Sequence, residues 1–418
     1  MALLTALLSA CVGTARPTAP PPGAQYELPW GAVPVETWDR PNDDQLSKIM
    51  VESMQAKIKA ARSTDPDARI PYRVLTLSGG GARGAYGAGV LAGWTHRGDR
   101  PQFDTVTGIS TGALMATPAF LGSEYDDDLV LYNQLDNDDV FTTRSKLTSL
   151  TRDALFDTAP LRATLASHIT QQTLELVAVE YRKGRRLFIG TTNLDANTFT
   201  IWNMGKIAAS DRQDKLKRYI DVVLASASFP IVFPPVYIEV EGENGTYTQM
   251  HTDGGVRETV FFYDFVDELR AAIDAAGLAR EELQAELFLL YNGPIFSKAT
   301  YNPVDGRVLS IAAASIESLM RKVTLSSLYR LWVLTLSRGA DFHLSFIPPE
   351  YPLGVDPLNF DPMEMAALYE FGYQRALAGD AWDTQVAPTT LEELKELIDP
   401  SQSIDKLEAR PWLRKDVE

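Results

Sequence analysis

The chain has 418 residues, of which 45% are hydrophobic, 22% charged and 10% aromatic. That globular balance excludes disorder, collagen and a simple coiled coil. Its 39 basic and 55 acidic residues give a formal net charge of -16, which argues against nucleic acid as main partner and against holding an anionic membrane by charge alone.

Residues 2–10 read ALLTALLSA, an apolar run ending in small residues, and Cys11 follows directly. Leu8-Ser9-Ala10-Cys11 resembles the lipobox of bacterial lipoproteins, in which the cysteine is lipidated. The run is too short to span a bilayer, which takes about 20 apolar residues. No Lys or Arg follows Met1, so the charged start of a signal peptide is absent. The expectation is a signal over 1–10, a lipid anchor at Cys11, and placement in the bacterial cell envelope at the outer membrane, since Val12 rather than Asp follows the cysteine. Residues 11–42 hold Pro17, Pro20, Pro21, Pro22, Pro29, Pro34 and Pro41. Proline denies a sheet its ladder hydrogen bonds, so an extended tether is expected there.

From residue 43 the pattern changes. Helices are expected over 44–62, 83–97, 111–121, 213–227, 258–276, 308–336 and 361–379. Apolar runs predict strands over 73–78, 103–109, 185–192, 198–204, 232–240, 285–291 and 342–347, with 246–250 strand-like. Strands alternating with helices predict an α/β fold with a largely parallel sheet. The domain is expected over 43–380, with a charged helical extension over 381–418. The 308–336 stretch carries Glu317, Arg321, Lys322 and Arg330, so it is not a membrane span.

Three segments carry chemistry. Gly79-Gly80-Gly81-Ala82-Arg83-Gly84 follows a strand and opens a helix. Backbone N–H groups there face a pyrophosphate or a developing oxyanion equally well. Gly108-Ile109-Ser110-Thr111-Gly112 is GxSxG, again between strand and helix, the setting of a nucleophile elbow. Gly108 and Gly112 permit close approach, and Ser110 is the candidate nucleophile. Asp253-Gly254-Gly255 ends a strand-like run. Asp253 is the candidate base, provided partial burial lifts its pKa; the same tripeptide is also ordinary turn chemistry.

Together these motifs, with Ala225-Ser226-Ala227-Ser228-Phe229-Pro230 and Phe233-Pro234-Pro235, resemble the patatin-like phospholipase family over residues 73–255. The resemblance implies a three-layer α/β fold with helices on both faces of a largely parallel sheet. It implies acyl-ester hydrolysis of lipids by a Ser110–Asp253 dyad, with Gly79, Gly80, Gly81 and Arg83 as oxyanion hole and Gly254 and Gly255 flanking the base. No cofactor or metal is expected: Cys11 is the single cysteine, and none of His96, His168, His251 and His343 has zinc spacing. The expected partners are a lipid or ester substrate and, through Cys11, a membrane.

Weaker features stand beside these. His343 fits the Ser–Asp–His chain order of α/β-hydrolases formally, but those enzymes do not carry the GGGARG loop before the elbow in this arrangement. His251 is read as a sheet-surface histidine. The acidic stretch 124–139 is read as solvated, and Arg182–Arg186 as a turn leading into a strand. A nucleotide-binding alternative built on Gly79–Gly84 needs an acid about 20 residues on, where Asp99 and Asp104 lie. A non-catalytic surface lipoprotein is the remaining alternative.

Overall fold

The fold comes from a computed structural model. It describes residues 16–21, 29–35, 44–65, 69–130, 134–143, 153–262, 274, 282–295, 303–337, 339–349, 351–352 and 356–384. β1 (Ala32–Val35) and α1 (Asp44–Thr64) come first. β2 (Ile70–Leu77) ends in four consecutive buried residues, as a strand covered on both faces does. The glycine loop then leads into α2 (Gly84–Arg97), which stops at left-handed Gly98. β3 (Thr105–Gly108) and α3 (Thr111–Leu121) repeat the strand–loop–helix pattern. Next come α4 (Asp127–Val130), α5 (Asn137–Val140), the short pair β4 (Thr142–Thr143) and β5 (Phe156–Asp157), α6 (Ala159–His168) and α7 (Gln171–Arg182). Asp136 starts α5 and Thr170 starts α7, each through a reciprocal capping box.

β6 (Arg186–Asn193) and β7 (Thr198–Asn203) precede α8 (Met204–Ala209) and α9 (Lys215–Ser226). The hairpin of β8 (Val236–Gly242) and β9 (Gly245–Asp253) follows, then β10 (Leu283–Tyr291), α10 (Val308–Ser337), β11 (Asp341–Phe346) and α11 (Pro362–Ala378). Asp361 accepts from the amides of Met363 and Glu364 to start α11, and left-handed Gly379 ends it.

The main sheet runs β1-β7-β6-β3-β2-β10-β11, with β9 joined to β6 and β8 to β9. β6, β3, β2, β10 and β11 are parallel, β7 runs antiparallel to β6, and β1 runs antiparallel to β7. Two apolar clusters lie on its faces. One joins Tyr86, Trp94, Met115, Phe120 and Tyr219 to Leu368. The other joins Leu46, Met50 and Met54 of α1 to Phe188, Leu289, Leu331 and Trp332. The mixed α/β architecture with helices on both faces agrees with the sequence reading.

Several local expectations need correction. The 11–42 stretch is not a free tether where it is described. Ala32–Val35 pairs antiparallel with β7, and Pro34 is accommodated because β1 is the outermost strand and has ladder bonds to make on one side alone. Upstream, Arg16 is ion-paired with Asp195, and the Thr18 carbonyl accepts from the Thr248 amide at 2.8 Å. Of the helix expected over 258–276, residues 258–262 are described and are not helical. Val260, Phe261 and Phe262 are instead buried, with Phe261 against Phe199; apart from Asp274, the rest lies outside the described residues. At the C-terminus, Asp383 exchanges backbone hydrogen bonds of 2.6 and 2.7 Å with Leu344 of β11, so the body of the domain reaches past residue 380. The remainder of the expected C-terminal extension, and Cys11, lie outside the described residues. Among the described residues no helix is long and apolar enough to cross a membrane.

Candidate active site

Ser110 stands where β3 turns into α3, with φ 55° and ψ -125°. A positive φ at a residue with a Cβ is strained, typically by about 1–3 kcal/mol, so the surroundings must impose it. They do so from three sides. The Ser110 amide donates to Ser226 Oγ at 3.0 Å, and that hydroxyl donates to the Gly190 carbonyl at 2.7 Å. The amides of Gly112 and Ala113 close the turn onto the carbonyls of Ile109 and Ser110, both at 2.8 Å. A Cβ at Gly108 would fall 2.5 Å from the Gly112 carbonyl oxygen, and one at Gly112 would fall 2.3 Å from that of Leu77. Both glycines are therefore required for strand and helix to meet this closely.

Sheet topology brings Asp253 to the same place. Along one edge of β6, Gly108 of β3 is paired with Ile189 and Asp253 of β9 with Thr191. β3 and β9 thus share an edge end to end. Two strand residues separate the partners, about 7 Å along β6. Ser110 leaves that edge where Asp253 arrives.

Asp253 is wholly buried. Its Oδ1 accepts from the Gly255 amide at 2.7 Å, while among the described residues Oδ2 has no hydrogen-bond partner. Burial pushes its pKa up to about 7, and interactions with the Ser110 hydroxyl and the Gly255 amide hold the rise back in part. The hydroxyl therefore lies within the carboxyl's influence but short of a formed hydrogen bond in this state. A Cβ at Gly254 would sit 2.6 Å from the Gly190 carbonyl oxygen, and one at Gly255 2.6 Å from Met320 Cε of α10.

The glycine loop forms the third wall. A Cβ on Gly79 would come within 2.9 Å of the Ser110 Cβ. Gly80 lies against the backbone of Asn292, and left-handed Gly81 against the Pro357 carbonyl. Thr111 Oγ1 holds the Gly81 carbonyl at 3.0 Å, and the Ala82 amide is used by Pro357. Among the described residues, none accepts from the amides of Gly80 or Gly81. Arg83 is largely buried, which lowers its pKa, with Tyr291, Glu317 and Asp356 in electrostatic reach.

Ser226 and Asn292 are the site residues that sequence reasoning missed. Asn292 binds Ser78 through its amide (2.8 Å) and Nδ2 (3.0 Å) and accepts from the Gly87 amide (3.1 Å), fixing both ends of the glycine loop. Nothing in the local sequence marks a residue that far along the chain as a buttress.

The other histidines stand elsewhere. His343 is on β11, stacked on Phe288 at 4.4 Å, with β10 and β2 between it and β3. His251 is not on the sheet surface: it is completely buried on β9, because β9 is inserted against β6 rather than left at an edge. Nor is the stretch 124–139 uniformly solvated, since Asp126 pairs with buried Arg100 at 2.6 Å. Arg185 and Arg186 are buried at the start of β6, where Arg185 donates to the carbonyls of Phe103 and Phe120. The nucleotide alternative loses its acid. Asp104 accepts from the Arg73 amide and pairs with Lys57 at the beginning of β3, the opposite end of the parallel sheet from the glycine loop. Asp99 pairs with Arg97 on the surface. Among the described residues, no group of His, Cys, Asp or Glu is arranged to hold a metal ion.

Comparison with known proteins bears on the same stretch. A family model described as patatin-like phospholipase matches residues 75–266. A curated relative, a cGAMP-activated phospholipase of Escherichia coli (strain TW11681), is 29% identical over 181 residues, covering 40% of this chain and 48% of the relative. The chain thus matches about half the length of that relative. The crystal structure of VipD from Legionella pneumophila is similar at 12% identity and a TM-score of 0.30, over 75% of this chain and 68% of that one.

Proposed function

We propose that residues 75–266, a patatin-like phospholipase domain of a lipid-hydrolase family, cleave carboxylic esters of lipids with Ser110 as nucleophile and Asp253 as base. One observation carries this reading. A wholly buried carboxyl, one oxygen of which has no hydrogen-bond partner among the described residues, lies within reach of a strained, half-buried serine beside a glycine loop.

Ser110 Oγ attacks the ester carbonyl while Asp253 takes its proton. Because burial lifts the Asp253 pKa to about 7, the carboxylate accepts that proton near neutral pH and returns it to the leaving alcohol. Charge develops on the carbonyl oxygen in the tetrahedral intermediate. Among the described residues the amides of Gly80 and Gly81 have no acceptor, so they are offered to hold it, with Arg83 adding positive charge nearby. Such a donor is typically worth about 3–4 kcal/mol. Water then attacks the acyl carbon while Asp253 accepts one of its protons, and Asp253 passes that proton to Ser110 Oγ as the acyl–oxygen bond breaks, releasing a carboxylic acid and restoring both residues.

The test is hydrolysis of phospholipid vesicles and of p-nitrophenyl butyrate by wild type, Ser110→Ala, Asp253→Asn and His343→Ala, with fluorophosphonate labelling of each. The expected result is loss of turnover in the first two variants, retention in His343→Ala, and labelling that disappears with Ser110. Full activity of Ser110→Ala would overturn the assignment.

We also propose that Cys11 is lipidated in a bacterial envelope. Arg16, five residues on, is already docked on Asp195, so such an anchor leaves a leash of at most about 18 Å. Incorporation of an alkynyl fatty acid that persists in Cys11→Ala would refute this.

A further inference from the structure

The two halves of α10 have different surroundings. In the second, Thr324, Ser327, Leu328, Leu331, Trp332 and Thr335 are buried. The first half projects past the active site. Met320 rests on Gly255, beside Asp253, and Glu317 and Arg321 lie within electrostatic reach of Arg83 in the glycine loop. The helix therefore crosses the mouth of the site at residues 317–321.

On the side of the helix away from Met320, steps of three and four residues align Val308, Ile311, Ser315, Leu319, Lys322, Ser326 and Tyr329. Val308 is 81% exposed, Leu319 67% and Ile311 51%. The sole carboxylate in the helix, Glu317, is on the Met320 side, whereas Arg321, Lys322 and Arg330 are basic. The helix is thus locally cationic on a chain whose net charge is -16. Exposed apolar side chains beside a basic one, Lys322, with no carboxylate on the same helix face, fit an element that lies in a lipid interface. A second copy fits less well, because a two-fold contact through this face would bring its like charges together.

We propose that the outer face of the first half of α10 is an interfacial surface that docks on an anionic lipid bilayer and turns the active-site mouth toward it. The proposal rests on the ester-hydrolase reading for its biological sense, but binding is measurable without catalysis. Apolar side chains enter the headgroup boundary, and Lys322 meets anionic headgroups.

The experiment uses the full chain carrying Cys11→Ala, so that no acyl anchor contributes. Co-sedimentation is measured with vesicles of pure phosphatidylcholine and of equal parts phosphatidylcholine and phosphatidylglycerol. Hydrolysis is followed on the same vesicles and on dissolved p-nitrophenyl butyrate. The variants are Ile311→Glu with Leu319→Glu, the milder pair Ile311→Ser with Leu319→Ser, and Lys322→Glu. The parent is expected to prefer the mixed vesicles. Each double variant is expected to lose vesicle binding and vesicle hydrolysis together, by about tenfold for the Glu pair, with turnover of the dissolved ester within about twofold. Lys322→Glu should weaken binding to the mixed vesicles alone. Unchanged vesicle binding by folded double variants overturns the proposal, as does a change confined to oligomeric state, which would assign the face to a second copy. Absence of turnover on either ester in the parent would instead fail the hydrolase reading, while the binding arm still decides the surface.

Discussion

His251 and Asp253 are two residues apart on β9, both wholly buried, both paired into β6, and their surroundings treat them in opposite ways. The Trp202 indole donates to Thr191 Oγ1 at 2.8 Å, leaving that hydroxyl free to donate to His251 Nδ1 at 3.0 Å, and Nε2 faces Gln249 Oε1 at 3.5 Å. This chain fixes a neutral tautomer, and burial pushes the imidazole pKa down to about 3. Asp253 has one oxygen satisfied and, among the described residues, one not, and burial pushes its pKa up to about 7. A complete network holds a strand in place, whereas an incomplete one stores a group ready to exchange a proton. The contrast separates a buried polar residue that is fully paired from the one proposed as base.

The largest break of this contrast is Asp253→Asn, expected to lower kcat by roughly a thousandfold, within the range for loss of a positioned base. The same change should stabilise the fold near pH 8 by about 2–4 kcal/mol, because an ionised carboxylate no longer sits in an apolar place. Denaturant melts at that pH check the second half. A variant that loses both activity and stability would contradict it.

His251→Ala should behave inversely. Loss of a buried ring and its hydrogen bonds is expected to cost about 3 kcal/mol, while kcat of the surviving folded enzyme stays within about fivefold.

The two pKa displacements also oppose one another in pH. The raised value at Asp253 gives stability that is complete below about pH 4 and lost as pH rises through about 7. The depressed value at His251 gives stability present above about pH 6.5 and lost as pH falls toward 3. In wild type the two slopes offset across the overlap. In Asp253→Asn the His251 slope stands alone, so the melting temperature should fall more steeply between pH 6.5 and 4. Catalysis reads the Asp253 side alone: kcat/KM should climb through about pH 7 to a plateau, since the base works ionised.

The smallest expected effect is at Ser226, which is fully buried and holds the Ser110 amide. Ser226→Ala leaves the Ser110 amide unpaired in a strained turn. About a tenfold drop in kcat with little change in KM is expected, together with a melting loss of about 1 kcal/mol. Restoration of the rate in Ser226→Thr would separate positioning from mere packing.

Much of this site was legible because its parts are local. Gly108–Gly112 and Gly79–Arg83 each sit between a buried strand and a helix in sequence as in space, and their glycines answer steric demands a few residues away. What pairs Ser110 with Asp253 was not legible from residue patterns alone. The end-to-end sharing of a β6 edge by β3 and β9 is a long-range fact of topology, and family resemblance supplied it. Asn292 and Ser226 were missed for the same reason, since each acts on backbone groups more than a hundred residues distant in chain order. β1 was missed because Pro34 argued against a strand, and the outermost position of a sheet relaxes that rule. His251 was misplaced because alternation tells which face a residue takes but not whether another strand lies beyond it.

The two ends of the main strand order are each finished by a segment from outside the central strands. On one side the outermost strand carries Pro34, which has no N–H to offer a newcomer. On the other, Asp383 has taken the amide and carbonyl of Leu344 on β11. A nine-stranded sheet with exposed rims would be a template for strand-by-strand stacking of copies, the first step toward fibrils. Here the segments flanking the central strands blunt that growth, so trimming them in search of a minimal domain would expose a sticky edge before it touched Ser110 or Asp253.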